Sequence, residues 1–179
     1  MPRKLPEHSR WLWRGVGVIL VLVFFSAPIP TLSIGEQADE DKLLIPLLFH
    51  KDFSMTYMHS VNKTPVRENF VLTYEQVFRL TSAEYYSLGV GTPFLEGEGV
   101  LTNQDGIFVL SEINRDFRQI DIAYMPLTDQ SIEYGGREFD LSSHFPAGTM
   151  VVIRLEHYTA AQLLWQQITG KQEVGLAFE

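Results

Sequence analysis

The chain has 179 residues, no cysteine and a formal net charge of −8. Without a thiol there are no disulfides, no thiolate metal sites, no thiol catalysis and no lipid attached at a cysteine. The charge is uneven: Arg3, Lys4, Arg10 and Arg14 against Glu7 make a basic tip, and the acidic body that follows argues against nucleic-acid binding.

No internal repeat is visible, so one domain with an appendage is expected. Residues 15–27, GVGVILVLVFFSA, are apolar apart from Ser26, and Trp11 and Trp13 stand at their basic edge. Interfacial tryptophans sit at that place in a membrane helix. A full span needs about 20 residues, which the run reaches if it takes in residues 11–13 and 28–34 and Arg14 snorkels to the headgroups. A cleaved signal peptide is the rival, but Phe25-Ser26-Ala27 followed by Pro28 is a poor cleavage site. The sequence therefore divides into a basic tip with an anchor (1–34), a polar acidic linker (35–42), a β domain (43–158) and a C-terminal amphipathic helix with a tail (159–179). The basic tip places the N-terminus in the cytoplasm and the body outside.

Residues 43–49 form an apolar run that reads as an edge strand, given Pro46. From Phe53 the chain alternates: Phe53, Met55, Tyr57, His59 and Val61 share one face, and Ser54, Thr56, Met58 and Ser60 the other. Val66, Glu68, Phe70, Leu72 and Tyr74 continue the pattern, with Arg67, Asn69 and Thr73 opposite. Asn62-Lys63-Thr64-Pro65 is a turn sequence. Pairing Val61 with Val66 sets Tyr57 against Phe70 and Met55 against Leu72, and it makes His59 face Glu68. Cross-strand neighbours lie roughly 4.5–5.5 Å apart at Cβ, within reach of a charge-assisted hydrogen bond. In the next strand Phe78, Leu80, Glu84, Tyr86 and Leu88 share the apolar parity, and a turn at 75–77 brings Glu84 beside Glu68. The expected result is a row of His59, Glu68 and Glu84 at one sheet end, followed at once by the bend Gly89-Val90-Gly91-Thr92-Pro93.

Asn103-Gln104-Asp105-Gly106 and Gly135-Gly136 mark two further hairpins, and a β-branched run at 150–155 follows the turn Pro146-Ala147-Gly148. About nine short strands separated by turn signals predict an all-β fold, an antiparallel sandwich or barrel. Ala161, Leu164, Trp165 and Ile168 then form a helical stripe with Thr159 as N-cap. Such a stripe usually caps the core, and a partner-docking face is the alternative.

The string His59-Ser60-Val61-Asn62-Lys63-Thr64-Pro65-Val66-Arg67-Glu68, then Glu84, then the Gly89–Pro93 bend, is similar to the bacterial domain family DUF1850 over residues 43–156. The one departure is Val90, where the family has a small residue. The resemblance implies a small, N-terminally anchored protein of the bacterial cytoplasmic membrane. It also implies a neighbourhood with TAXI-type TRAP transporters. It implies no activity.

The row has three readings. A His–Glu pair can close the sheet end as a satisfied buried network. One imidazole and two carboxylates suit Zn or Mn, and carboxylates alone suit Ca. A small ligand or a partner is the third. Two inward glutamates repel, so one holds a proton or a cation sits between them. Ser60 and His59 point to opposite faces of a strand and cannot be nucleophile and base. The glycine bend lacks the lysine and helix of a phosphate loop, and its glycines serve positive-φ turn positions. His8, His50, His144 and His157 have no partner at ligand spacing. The candidate binding or structural residues are thus His59, Ser60, Thr64, Glu68, Glu84 and Gly91, with His59, Glu68 and Glu84 as metal candidates and no catalytic assignment. No cofactor is expected, and a divalent cation is the one that this row could take. The expected function is a membrane-anchored extracytoplasmic accessory or binding module of a TAXI-type TRAP transporter, touching its membrane subunits or its solute-binding protein. The alternative is a metal-dependent hydrolase built on His59, Glu68 and Glu84.

Overall fold

A computed structural model describes residues 7–36, 42–87, 97 and 99–175. It opens with helix α1 (Glu7–Ser26), which passes through Ala27 into strand β1 (Pro28–Glu36). β1 lies between β2 (Lys42–Pro46) and the long β12 (Met150–Thr159), antiparallel to both. β9 (Gln119–Ala123) and β13 (Glu173–Val174) complete a five-stranded sheet in the order β13-β2-β1-β12-β9.

The second sheet has eight strands. β3 (Asp52–Met58), β4 (Pro65–Leu72) and β5 (Phe78–Tyr85) form its middle, flanked by β10 (Ser131–Tyr134) with β11 (Arg137–Asp140) and by β7 (Ile107–Ser111) with β6 (Val100–Gln104). The short β8 (Arg115–Phe117) pairs with β5. The inner faces share one core: Leu32, Ile34, Leu43 and Ile45 from the first sheet meet Phe53, Phe70 and Phe78 from the second. Phe53 stacks on Phe70 with ring centroids 5.3 Å apart, and Phe78 meets Phe53 edge-on at 5.4 Å. Aromatic pairs in these geometries add about 0.5–1.5 kcal/mol beyond the area they bury. The all-β expectation holds, with the strands gathered into two sheets.

Three features differ from expectation. Residues 28–34, counted above with the anchor, are strand: Leu32 and Ile34 are fully buried in the core, and Thr31 and Ser33 are buried on the other face of the sheet. Gly35, Glu36 and Lys42, counted as linker, are strand as well; residues 37–41 lie outside those described. The period-two signal Thr31-Leu32-Ser33-Ile34 is masked in sequence by the apolar run before it. Second, among the described residues no helix is long and apolar enough to cross a membrane. Once 28–34 belong to the sheet, the apolar part of α1 is confined to the residues after Arg14. Third, the stripe of α2 (Ala160–Thr169) does not cap the core. Leu163 is its buried residue and packs on Leu44 and Val174, while Trp165 is 64% and Ile168 78% exposed. Leu44 faces away from Leu43 and Ile45, so α2 covers the outer face of the five-stranded sheet. Thr159 does cap this helix. Its hydroxyl accepts from Gln162 N–H and the Gln162 side chain accepts from Thr159 N–H, a capping box.

Candidate functional site

The β3–β4 hairpin sets the geometry. Met55 stands opposite Glu68, Tyr57 opposite Val66 and Met58 opposite Pro65. This is a slip of four residues from the pairing of Val61 with Val66. An even slip preserves the faces, so the inward residues are as expected, but every cross-strand partner changes. The cause is the loop. His59 N–H donates to the Thr64 carbonyl at 2.9 Å, Lys63 N–H donates to the His59 carbonyl at 2.9 Å, and Lys63 takes a left-handed φ of 53°. The turn therefore spans His59 to Thr64 and leaves Val61 exposed. His59 Nδ1 accepts the N–H groups of Val61 and Asn62, at 3.3 and 3.2 Å. The imidazole holds its own turn and does not pair with Glu68.

Glu84 is displaced for another reason. Asn69 pairs with Ser82 but the next residue, Phe70, pairs with Leu80, so Thr81 is an extra residue in β5. A bulge of this kind reverses the alternation of the strand. Thr81 is held by its hydroxyl on the Asn69 carbonyl at 3.0 Å and by Ile113 N–H on its own carbonyl at 3.1 Å. Phe78 and Leu80 face the core before the bulge, and Ala83 and Tyr85 do so after it. Glu84 stands opposite Arg67 on the outer face, and Tyr86 is exposed.

The expected row is thus not assembled. His59 sits at the turn, Glu68 on the inner face and Glu84 on the outer face. Among the described residues no three His, Asp or Glu side chains are grouped to hold a metal ion, and the hydrolase reading loses the convergence it needs. Ser60 is an exposed turn residue. Thr64 Oγ1 is buried without a hydrogen-bond partner. Gly91 lies outside the described residues, as does the rest of the glycine bend.

Two other polar groupings form instead. On the inner face Glu68 shares a cavity of about 220 Å³ with Phe70, Leu80, Tyr85, Arg115 and Phe117. Tyr57 Oη donates to Glu68 Oε1 at 3.3 Å. Burial raises the Glu68 pKa above the ordinary carboxylate range, and the Tyr57 hydrogen bond and the charge of Arg115 oppose that rise without cancelling it. The Tyr57 phenol is pushed up by burial and by the Glu68 charge. Ligand pockets commonly measure about 300–1,000 Å³, so this space suits only a very small molecule.

On the outer face a hydrogen-bonded row crosses four strands. Arg67 donates to Glu133 Oε2 at 2.8 Å and to Ser54 Oγ at 3.1 Å. Ser54 Oγ donates to Asn69 Oδ1 at 2.7 Å, and Asn69 Nδ2 reaches Ser82 Oγ at 3.0 Å and Glu84 Oε1 at 3.4 Å. Each member is half-buried, so the row is a hydrogen-bonded polar surface within reach of solvent. The polar alternation of Ser54, Arg67 and Asn69 is visible in sequence, but their partnership depends on the register.

The architecture defines a small two-sheet β module led by an apolar helix. Residues 53–141, from the second residue of β3 to the residue after β11, match the model of a family described as "Domain of unknown function (DUF1850)". The resemblance carried by the hairpin motif holds over that stretch. No curated protein and no solved structure matches the chain.

Proposed function

We propose that the protein is a membrane-tethered binding module of the bacterial envelope, with α1 in the cytoplasmic membrane, the β domain outside, and no turnover of its own. The observation that carries this reading is the surface of α1. From Val16 to Phe25 its large apolar side chains are exposed in succession around the helix. A helix that is apolar all round is at home in a core or in lipid, not in water. Trp11 and Trp13 lie at its basic end, with the Arg14 guanidinium 5.9 Å from the Trp11 ring centroid. The apolar part is shorter than the ~30 Å hydrocarbon core, so crossing it requires Arg14 to snorkel and the bilayer to thin locally.

The partner favoured by the family resemblance is a TAXI-type TRAP transporter, through its membrane subunits or its solute-binding protein. The hydrogen-bonded polar row on the outer face of the eight-stranded sheet is a surface that such a partner can meet. A tether raises the effective concentration of a weak contact. The test is fractionation of the full-length protein followed by crosslinking in intact cells. The reading expects retention in the membrane after a carbonate wash and capture of a transporter component. A soluble mature form starting near Pro28 would overturn the tether. Failure to capture any transporter component, with solute uptake unchanged on deletion of the gene, would overturn the partner.

A further inference from the structure

We infer that α2 lies on the lipid surface beside the point where α1 enters it, so that the domain reclines on the α2 side of its five-stranded sheet. The inference rests on the membrane reading of α1 and adds the orientation of the domain. Its basis is the register of β1 and β12. Pro28 stands opposite Thr159. α1 ends just before the first and α2 starts just after the second, so both helices meet at the same end of the sheet, in contact with each other.

What they present there is unusual for this chain. It carries 22 Asp and Glu residues, yet residues 8–35 and 157–172 contain none. α2 itself has no charged residue, and the charge that follows it is Lys171. Leu163 pins one side of α2 to the sheet, and β13 ties down the chain beyond it by pairing with β2. The opposite side presents Trp165 and Ile168, largely exposed, and the half-exposed Leu164. The last turns of α1, which touch α2, are apolar and exposed as well. An amphipathic helix without charge, with a tryptophan on its exposed apolar side and Lys171 just beyond it, suits the headgroup boundary, and the acidic residues nearest it in sequence are engaged within the domain, Glu156 by Lys42 and Tyr158 and Glu173 by His144. The outer row around Arg67 belongs to the other sheet and is then turned away from the lipid.

The absence of cysteine makes the test direct, because single cysteines can be introduced into the full chain at exposed positions and labelled with an environment-sensitive fluorophore. Three variants are compared in phosphatidylcholine–phosphatidylglycerol vesicles, with a quencher attached high on the lipid acyl chain. I168C reports α2, V21C reports α1, and A147C reports the far end of β12. The inference expects a blue-shifted, quenched label at positions 168 and 21 and an unquenched one at 147. A label quenched at 21 but not at 168 overturns the inference and leaves the tether standing, and this includes the case in which position 168 is covered by a second copy or by another protein. A label unquenched at both 21 and 168 overturns the tether and the inference together.

Discussion

Tyr57 and Glu68 meet through a single hydrogen bond of 3.3 Å between strands β3 and β4, diagonally placed rather than directly opposite. That bond is the main stabilising contact of a carboxyl group that burial holds above its ordinary pKa. In the window between the ordinary carboxylate pKa and the raised one, the folded state binds more protons than the unfolded state. Stability therefore falls as pH rises through the window, and the deficit persists above it. Glu68→Gln keeps an acceptor for Tyr57 and has no proton to lose. Urea midpoints measured against pH are expected to separate across the window, with the wild type losing ground to the variant as pH rises. Parallel curves would show that the carboxyl is as well solvated as in the unfolded chain.

Phe70 is stacked on Phe53 and meets Phe117 edge-on at 6.1 Å. Phe70→Ala is expected to cost about 3–5 kcal/mol, as for other buried aromatic truncations. Glu133→Ala breaks only a half-exposed ion pair and is expected to cost about 0–1 kcal/mol. Thermal or chemical denaturation of the two variants side by side checks the contrast. Equal losses would mean that the outer row holds the sheet as firmly as the aromatic cluster does.

His59 is expected to act as a turn cap and not as a ligand. His59→Ala leaves the Val61 and Asn62 N–H groups without their acceptor and is expected to lose about 1 kcal/mol, the usual worth of such a bond. His59→Asn supplies a side-chain oxygen near the same place and is expected to recover part of the loss. Added zinc or manganese is expected to leave the melting temperature of the wild type unchanged. A metal-dependent rise that vanishes in His59→Ala would restore the cation reading.

Thr159 closes the capping box of α2. Thr159→Ala is expected to cost about 0.5–2 kcal/mol, felt first in the helix itself. Amide hydrogen exchange should speed up over α2 while the core strands β1 and β12 keep their protection. Uniform acceleration would mean that α2 and the sheets open as one unit.

The alternation of β3, β4 and the first half of β5 was legible because it is a local property of each strand. The partners were not, because register depends on how many residues a loop consumes. Here the loop consumes six, for a reason hidden in the backbone: a left-handed Lys63 and a histidine that bonds its own turn. The bulge at Thr81 carries no compositional mark, yet it sends Glu84 to the face opposite Glu68. In β1 the strand signal was overshadowed by the apolar helix before it. In α2 the cap at Thr159 was readable and the buried face was not: the apolar stripe runs through Ala161, Leu164, Trp165 and Ile168, yet Leu163, which lies off it, is the residue that packs on Leu44 and Val174.

The pairing of Pro28 with Thr159 also governs the order in which the molecule can be made. The eight-stranded sheet grows mainly from hairpins whose strands follow one another in sequence, whereas β1 finds its second neighbour only near the C-terminal end of the chain. Contacts between distant segments form slowly, and chains emerge N-terminus first. Until β12 arrives, Leu32 and Ile34 belong to a strand with one edge unpaired. The five-stranded sheet is then the last part to close, and a chain stopped before Met150 would carry an open β1 edge beside its apolar helix, a ready target for quality-control proteases.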